Sequence, residues 1–116
     1  MLYTEILKDP KVFSRIYRKG SRFFSSGICA YFAVNRCPYN RFGITVGKKV
    51  GGAVERNRAK RIIRAAYRKN EILLPIGYDI VISATANING KKSSDLDGFM
   101  NKLSKEMNRN REKTSN

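Results

Sequence analysis

Histidine and tryptophan are absent from this 116-residue sequence, and its only cysteines are Cys29 and Cys37. Without histidine, the chain lacks the commonest general base and the usual partner of a serine or cysteine nucleophile. Two cysteines are too few for a disulfide framework and, without histidine, they form no zinc-ligand set, so we interpret both as reduced thiols. Acid–base catalysis by the protein's own side chains is therefore disfavoured.

Acidic residues are also scarce, since nine Asp and Glu stand against 24 Lys and Arg, a formal net charge of +15. Such an excess destabilises a compact chain unless a polyanion neutralises it, which points to RNA, DNA or an anionic membrane surface. The hydrophobic fraction of 41% is too high for a disordered basic tail. No stretch approaches the ~20 apolar residues that span a bilayer, and the N-terminus lacks the pattern of a signal peptide. We expect a folded, cytoplasmic protein.

Apolar periodicity predicts an alternation of helices and strands. Asp9 can cap a helix that begins at Pro10 and ends at Gly20. Period-two alternation predicts strands at 27–35 and 41–47, which we interpret as antiparallel neighbours. A third strand at 78–84 has consecutive apolar residues, which indicates burial on both faces.

The C-terminal part of the sequence predicts a last helix. Ser94 and Asp97 resemble a capping box at its start. A core-facing stripe follows at helical spacing, formed by Leu96, Phe99, Met100, Leu103 and Met107. Residues 108–116 contain no apolar side chain and are predicted to be a disordered basic tail. Residues 1–107 are thus predicted to form a single RNA-binding domain.

The strongest signal lies between Lys48 and Lys69, where nine basic residues accompany one acid, Glu55. On a helix from about Ala53 to Lys69, small and apolar residues gather on one side (Ala59, Ile62, Ile63 and Ala66). The other side carries a basic ridge at i, i+4 spacing, formed by Arg56, Lys60, Arg64 and Arg68, with Arg61 beside it.

The basic ridge needs a partner, because like charges at i, i+4 destabilise a helix by a few tenths of a kcal/mol per pair. Arginine pairs bidentately with phosphate and stacks on bases, so the ridge favours a polynucleotide over a membrane. The plain alternative is a solvated basic surface helix. Lys48 and Lys49 precede Gly51-Gly52, which is either an anion-binding turn or an ordinary tight turn. Asn57 either contacts RNA or is an ordinary surface residue.

The run from Lys48 to Arg64 resembles the signature of the bacterial ribonuclease P protein component, an RNR motif within a KK-hydrophobic-G-x-A-V-x-R-N-R-x-K-R frame. The motif itself is Arg56-Asn57-Arg58. Two positions depart from the family pattern, Gly52 where Asn is common and Val12 where an acid often precedes the Phe. Further similarity lies around the first helix, at Leu7, Phe13, Ile16, Tyr17 and Gly20.

The resemblance implies an α/β fold, a two-layer sandwich like the second domain of ribosomal protein S5. Its mixed sheet would contain a left-handed β-α-β crossover, although right-handed crossovers are the general rule. The resemblance also implies that the catalyst is an RNA subunit that removes the 5′ leader of precursor tRNA, with Mg²⁺ held mainly by RNA. Expected partners are ribonuclease P RNA and precursor tRNA, with no membrane, no small-molecule substrate and no catalytic residue on this chain. Direct metal ligation by a side chain is left open.

Two sets of site residues follow from the resemblance. The first binds the RNA subunit: Lys48, Lys49, Arg56, Asn57, Arg58, Lys60, Arg61, Arg64 and Arg68. The second lines a cleft for the single-stranded leader: Phe13, Tyr17, Tyr31, Arg56, Lys60 and Arg64. One alternative is a ribosomal or general RNA-binding protein of S5-like fold without leader specificity. Another, a protein-only nuclease, requires a carboxylate cluster that the scattered acids do not provide.

Overall fold

The computed structural model describes residues 1–114, with side chains through Arg111. Five strands and three α-helices alternate along the chain. In order they are β1 (Thr4–Ile6), α1 (Pro10–Lys19), β2 (Ser21–Ser25), β3 (Ile28–Val34), β4 (Asn40–Val46), α2 (Ala53–Asn70), β5 (Tyr78–Ala84) and α3 (Asp97–Thr114).

The strands form one mixed sheet in the order β1-β4-β5-β3-β2. β4 is parallel to both β1 and β5, whereas β3 is antiparallel to β5 and to β2. The prediction that β3 and β4 are neighbours is wrong, because β5 lies between them. Its consecutive apolar residues suit that central position, where both faces of the strand are buried.

Helices cover both faces of the sheet. α2 and α3 share a core cluster with Phe42, Ile80 and Ile82 on one face, where Tyr67 stacks on Phe42 with ring centroids 3.9 Å apart. The α/β class and the mixed sheet are confirmed, with α1 added on the opposite face. α2 connects the parallel neighbours β4 and β5, and the left-handed sense of that crossover stays a prediction.

The limits of α1 agree with its sequence signals. The Asp9 carboxylate accepts a hydrogen bond from the Lys11 amide at 2.9 Å, and Pro10 is the first helical residue. At the other end, a Cβ on Gly20 would lie 2.6 Å from the Ile16 carbonyl oxygen, so only glycine fits there. Val12 and Ile16 pack with Val81 of β5 in a second cluster, which fixes α1 against the sheet.

The start of α3 differs from the predicted capping box at Ser94 and Asp97. Asp95 accepts a hydrogen bond from the Lys92 amide instead, and a short 3₁₀ turn precedes the helix. Asp97 accepts from Lys69 Nζ at 2.7 Å and from Asn70 Nδ2 at 3.0 Å. Its carboxylate therefore joins α3 to the end of α2, and the hydrogen bond from Lys69 lowers its pKa.

The predicted disorder from residue 108 also differs from the structure, since α3 continues to Thr114. Side chains beyond the apolar stripe still form contacts: Asn108 bonds to the Ser104 carbonyl, and Asn110 bonds to Ser21. Arg109 pairs with Glu106 one turn earlier. These contacts extend the helix without a further apolar residue. Residues 115 and 116 of the predicted tail lie outside the described residues.

A buried carboxylate attaches the N-terminal segment to the turn at the end of α2. Glu71, only 3% exposed, accepts hydrogen bonds from the amides of Leu2 at 2.7 Å and Tyr3 at 2.9 Å, and from the Thr4 hydroxyl. Burial raises the pKa of Glu71, but the hydrogen bonds outweigh burial and leave that pKa below its ordinary value. The contacts hold β1 beside the first three residues of β4, so that in the described chain Gly43–Val46 forms a sheet edge.

Candidate nucleic-acid interface

The turn before α2 requires glycine at one of its two glycine positions. Gly51 has φ of 141°, a conformation that favours glycine, and a Cβ there would lie 2.9 Å from the Glu55 Cβ. Gly52 is extended and is the N-cap of α2, without a side-chain hydrogen bond. An Asn at Gly52, as in the family pattern, would supply that cap. Lys48 and Lys49 are exposed just before the turn.

α2 has the two-sided character that its sequence predicts. Ala59, Ile62, Ile63 and Ala66 are buried, whereas the basic ridge reaches solvent. Within the described part of the chain, no acid lies within ion-pair distance of any ridge residue. Arg56 makes only a long contact of 3.4 Å to the Gly52 carbonyl oxygen. The ridge therefore presents uncompensated positive charge along the helix.

Asn57 and Arg58, the middle and last residues of the RNR motif, do not belong to the basic ridge. Arg58 is half-buried and donates to the Lys91 carbonyl oxygen, which fastens the loop after β5 to α2. Asn57 is exposed. The structure thus gives Arg58 a structural contact, while contact of Arg58 or Asn57 with RNA stays a prediction.

Aromatic side chains cross the face of the sheet beneath α1 and form an aromatic cleft, which we define by Phe13, Tyr17 and Tyr31. The Tyr17 and Tyr31 rings meet edge to face with centroids 4.7 Å apart. Tyr17 is 41% exposed and donates to Thr45 Oγ1 at 3.0 Å. Phe13 and Tyr31 are half-buried against the second core cluster. The rings thus keep accessible surface, as the leader-cleft prediction requires.

The pKa of Tyr31 is raised, first by its hydrogen bond with Cys29 and second by burial, while nearby Arg22 acts in the opposite direction. A tyrosine phenol is protonated at neutral pH even without such a shift, and the upward direction preserves that state. A neutral ring is a suitable stacking surface for a base and adds no negative charge that would repel phosphate.

The aromatic cleft and the basic ridge meet at the free edge of β4. A pocket of about 170 Å³ there is lined by Phe13 from α1, Gly43 from β4, and Lys60 and Arg64 from α2. The Phe13 ring covers Gly43 so closely that a Cβ at Gly43 would lie 2.4 Å from Phe13 Cζ. Because β1 pairs with only the first part of β4, elements on opposite faces of the sheet contribute to one pocket.

Several residues of this surface were not predicted from the sequence. Gly43 and Thr45 support the aromatic rings, and Ile6 and Leu7 line the pocket at the edge of β4. In the strand predicted at 41–47, period-two alternation places Phe42 and Ile44 on one face and Gly43 and Thr45 on the other. That alternation is the sequence signal that could have located Gly43 and Thr45 on the surface under the rings.

Three of the six predicted cleft residues line this pocket: Phe13, Lys60 and Arg64. Tyr17 and Tyr31 lie outside it, in contact with each other under α1. Arg56 also lies outside it, near the start of α2.

The fold and this surface define a small basic α/β protein suited to contact with a polyanion, through cations on one side and aromatic rings on the other. The sequence model described as Ribonuclease P matches residues 1–108.

Known relatives agree with that match. The chain is 38% identical over 102 residues to the ribonuclease P protein component of Lachnoclostridium phytofermentans, covering 88% of each chain. It is 42% identical over 93 residues to that of Clostridium acetobutylicum, covering 78% of each. The RNase P protein structure from Thermotoga maritima superposes with a TM-score of 0.70 at 28% identity, covering 90% of this chain and 96% of that one. The chain belongs to the ribonuclease P protein family.

Proposed function

We propose that this protein is the RNA-binding subunit of ribonuclease P, and that it binds the catalytic RNA and the 5′ leader of precursor tRNA together. The observation that carries the proposal is the pocket where Phe13 meets Lys60 and Arg64. Single-stranded RNA is bound by proteins that combine a charged groove with stacking rings. Family membership supports the choice of RNA partner.

The ridge and the cleft have separate tasks in this proposal. The ridge contacts phosphates of the catalytic RNA, and so reduces the repulsion between two polyanions. The rings of Tyr17 and Tyr31 stack on leader bases, each worth roughly 1–3 kcal/mol. Substrate affinity rises while the chemistry stays on the RNA.

Magnesium belongs to the RNA partner in this proposal. Metal-assisted phosphodiester cleavage needs an ion beside the attacking and leaving oxygens. Within the described residues, no three His, Cys, Asp or Glu side chains lie together as a ligand set. The buried carboxylates have other partners, since Asp79 bonds to Arg41 and Glu71 bonds to the N-terminal segment. The described residues thus do not fit a metal site held by the protein, and no catalytic step is assigned to them.

The proposal also places the protein where ribonuclease P RNA is made, in the cytoplasm of a bacterium. In the described chain no helix combines the length and apolarity that crossing a bilayer requires.

Reconstitution tests the proposed function. The protein is combined with a bacterial ribonuclease P RNA at low magnesium, and 5′ cleavage of a precursor tRNA is followed over time. We expect the protein to accelerate cleavage at a magnesium concentration where the RNA alone is slow. Equal rates with and without the protein would contradict the proposal.

The rival function is a general RNA-binding protein of the same fold. It would bind RNA without favouring a 5′ leader, and so would bind precursor and mature tRNA equally. The accessible rings favour a single-stranded RNA partner, because unpaired bases stack on aromatic side chains. The leader is the single-stranded segment that precursor tRNA has and mature tRNA lacks, so comparing the two affinities separates the two functions.

A further inference from the structure

α1 divides its face of the sheet into two flanks. Strand register places Thr45 and Ser83 on one flank, where the aromatic cleft lies, and Arg41 and Asp79 on the other. On this second flank a pocket of about 320 Å³ lies between the C-terminal half of α1 and the end of β3. We call it the basic pocket and define it by its cations Arg15, Lys19 and Arg36.

The basic pocket carries uncompensated charge. Asp79 is the one acid among its described lining residues, and its side chain is 2% exposed. Arg41 bonds to both carboxylate oxygens of Asp79 at 2.7 Å, and Asn35 Nδ2 bonds to one of them at 3.0 Å. Arg15 forms a longer ion pair with the same carboxylate, at 3.9 Å. Asp79 therefore compensates one positive charge, and the four cations Arg15, Lys19, Arg36 and Arg41 with this one acid keep a net charge of +3.

Arg36 is held in an uncommon conformation at the mouth of the pocket. Its φ is 60°, in the left-handed region that glycine and asparagine adopt more readily than arginine. Asn35 fixes the turn, because its Oδ1 accepts from the Cys37 amide at 2.7 Å and its Nδ2 donates to the Tyr39 carbonyl oxygen at 3.2 Å. Lys19 lies at the C-terminus of α1, where a cation interacts favourably with the helix dipole. Arg36 lies outside any helix, so a helix dipole does not explain a cation at that position. Unusual backbone at a fixed charged residue indicates a functional constraint.

Resting on the proposed function, we propose that the basic pocket binds a phosphate of an RNA backbone, at a site separate from the aromatic cleft and the basic ridge. Two arginines and one lysine, from α1 and the turn after β3, line it, and arginine pairs with phosphate through two parallel hydrogen bonds. The pocket is within the size range of ligand sites. The phosphate comes either from ribonuclease P RNA or from precursor tRNA, two sources with the same chemistry.

Salt dependence of binding tests the site. The binding constant for ribonuclease P RNA, and that of the assembled holoenzyme for precursor tRNA, are measured over a series of KCl concentrations. Arg36→Asn removes the charge with a residue that tolerates the left-handed conformation, and thermal melting verifies its fold. Arg36→Lys restores the charge. Arg109→Ala is the matched control, because this exposed arginine pairs with Glu106 on α3, away from the pocket.

Each protein–phosphate contact contributes roughly 0.7–0.9 to the slope of log K against log salt. We expect Arg36→Asn to lower one of the two slopes by about that amount, Arg36→Lys to restore it, and Arg109→Ala to leave it unchanged. A lower slope for ribonuclease P RNA assigns the phosphate to the catalytic RNA, and a lower slope for precursor tRNA assigns it to the substrate. Two unchanged slopes in Arg36→Asn, or an equal decrease in Arg109→Ala, would overturn the proposal.

Discussion

Single side chains of the aromatic cleft have a role that burial alone does not explain. Tyr17 reaches over the sheet to Thr45 while it keeps 41% of its surface exposed. A ring that served only the core would be covered, as Tyr67 and Tyr78 are. Tyr17 and Tyr31 thus combine a fixed position with an accessible face, the property that stacking on single-stranded bases requires.

Replacement of Tyr17 by alanine tests this role. We expect Tyr17→Ala to weaken precursor tRNA binding by the holoenzyme about five- to 150-fold, the equivalent of a stacking loss of roughly 1–3 kcal/mol. Affinity for the RNA subunit should change little, because the ridge is intact. Tyr17→Phe is the control, since it keeps the ring and loses only the hydrogen bond to Thr45. If Tyr17→Ala weakened both affinities equally, the ring would be structural. Filter binding or fluorescence titration measures both affinities.

The sequence, together with the family resemblance, predicted the aromatic residues of the cleft but not the residues that those rings pack against. Phe13 and Tyr17 on α1 and Tyr31 on β3 were identified only through the family resemblance, since the apolar stripe of α1 by itself favours a core position. Gly43 and Thr45 were missed, because a small residue in a strand shows its use only when the helix that crosses it is known. The packing of Phe13 on Gly43 is a tertiary contact that no local pattern contains.

The attachment of β1 through Glu71 determines the shape of the interface at the level of elements. β1 ends at Ile6 and so leaves the edge of β4 free for the pocket between Phe13 and Arg64. The pKa of Glu71 is lower in the folded protein than its ordinary value. The unfolded chain consequently binds its proton more readily, and the stabilisation is present at neutral pH and lost as the pH falls through the folded pKa.

Glu71→Gln is expected to destabilise the fold by about 1–3 kcal/mol at pH 7, since it removes an acceptor for buried donors. The difference from wild type should shrink as the pH falls through the lowered pKa of folded Glu71, where the wild-type carboxylate also becomes protonated. Urea unfolding at pH 7 and at low pH measures both values. A difference that stayed constant with pH would mean that the charge of Glu71 does not contribute.

α2 presents the basic ridge as one element, and its two faces were predictable from the helical repeat alone. The order of the strands around it was not. Local alternation predicted that β3 and β4 are neighbours. Strand pairing, however, depends on which segment occupies the centre of the sheet. That segment is β5, which begins at Tyr78, 44 residues after Val34 at the end of β3. Pairing between strands so far apart along the chain cannot be predicted from short windows of sequence.

The position of Arg64 on the basic ridge leads to a quantitative prediction about the salt dependence of RNA binding. Arg64→Ala should weaken binding to ribonuclease P RNA and lower the salt slope by about one contact. Lys102→Ala on α3 removes one exposed charge from a different helix and serves as the matched control. Titrations at several KCl concentrations give both slopes. Equal slopes for wild type and Arg64→Ala would remove Arg64 from the interface.

At the scale of the whole molecule, the basic ridge and the aromatic rings lie on opposite faces of the sheet and meet at its edge. α2 carries cations on one face, α1 carries aromatic rings on the other, and the free end of β4 lets both line one pocket. No lysine or arginine whose side chain the structure describes is buried, so the cations behind the net charge of +15 stay hydrated and available to a polyanion. In the proposed function, the protein supplies binding energy to a reaction that its partner RNA performs.

The central claim is that this protein recognises the leader, and one comparison tests it most directly. The reconstituted holoenzyme is titrated with precursor tRNA and with the mature tRNA of the same sequence, at one salt and magnesium concentration. We predict that the precursor binds at least about five-fold more tightly, the equivalent of one stacked base, and that Tyr17→Ala reduces this preference. Equal affinity of the wild-type holoenzyme for the two RNAs would contradict the account.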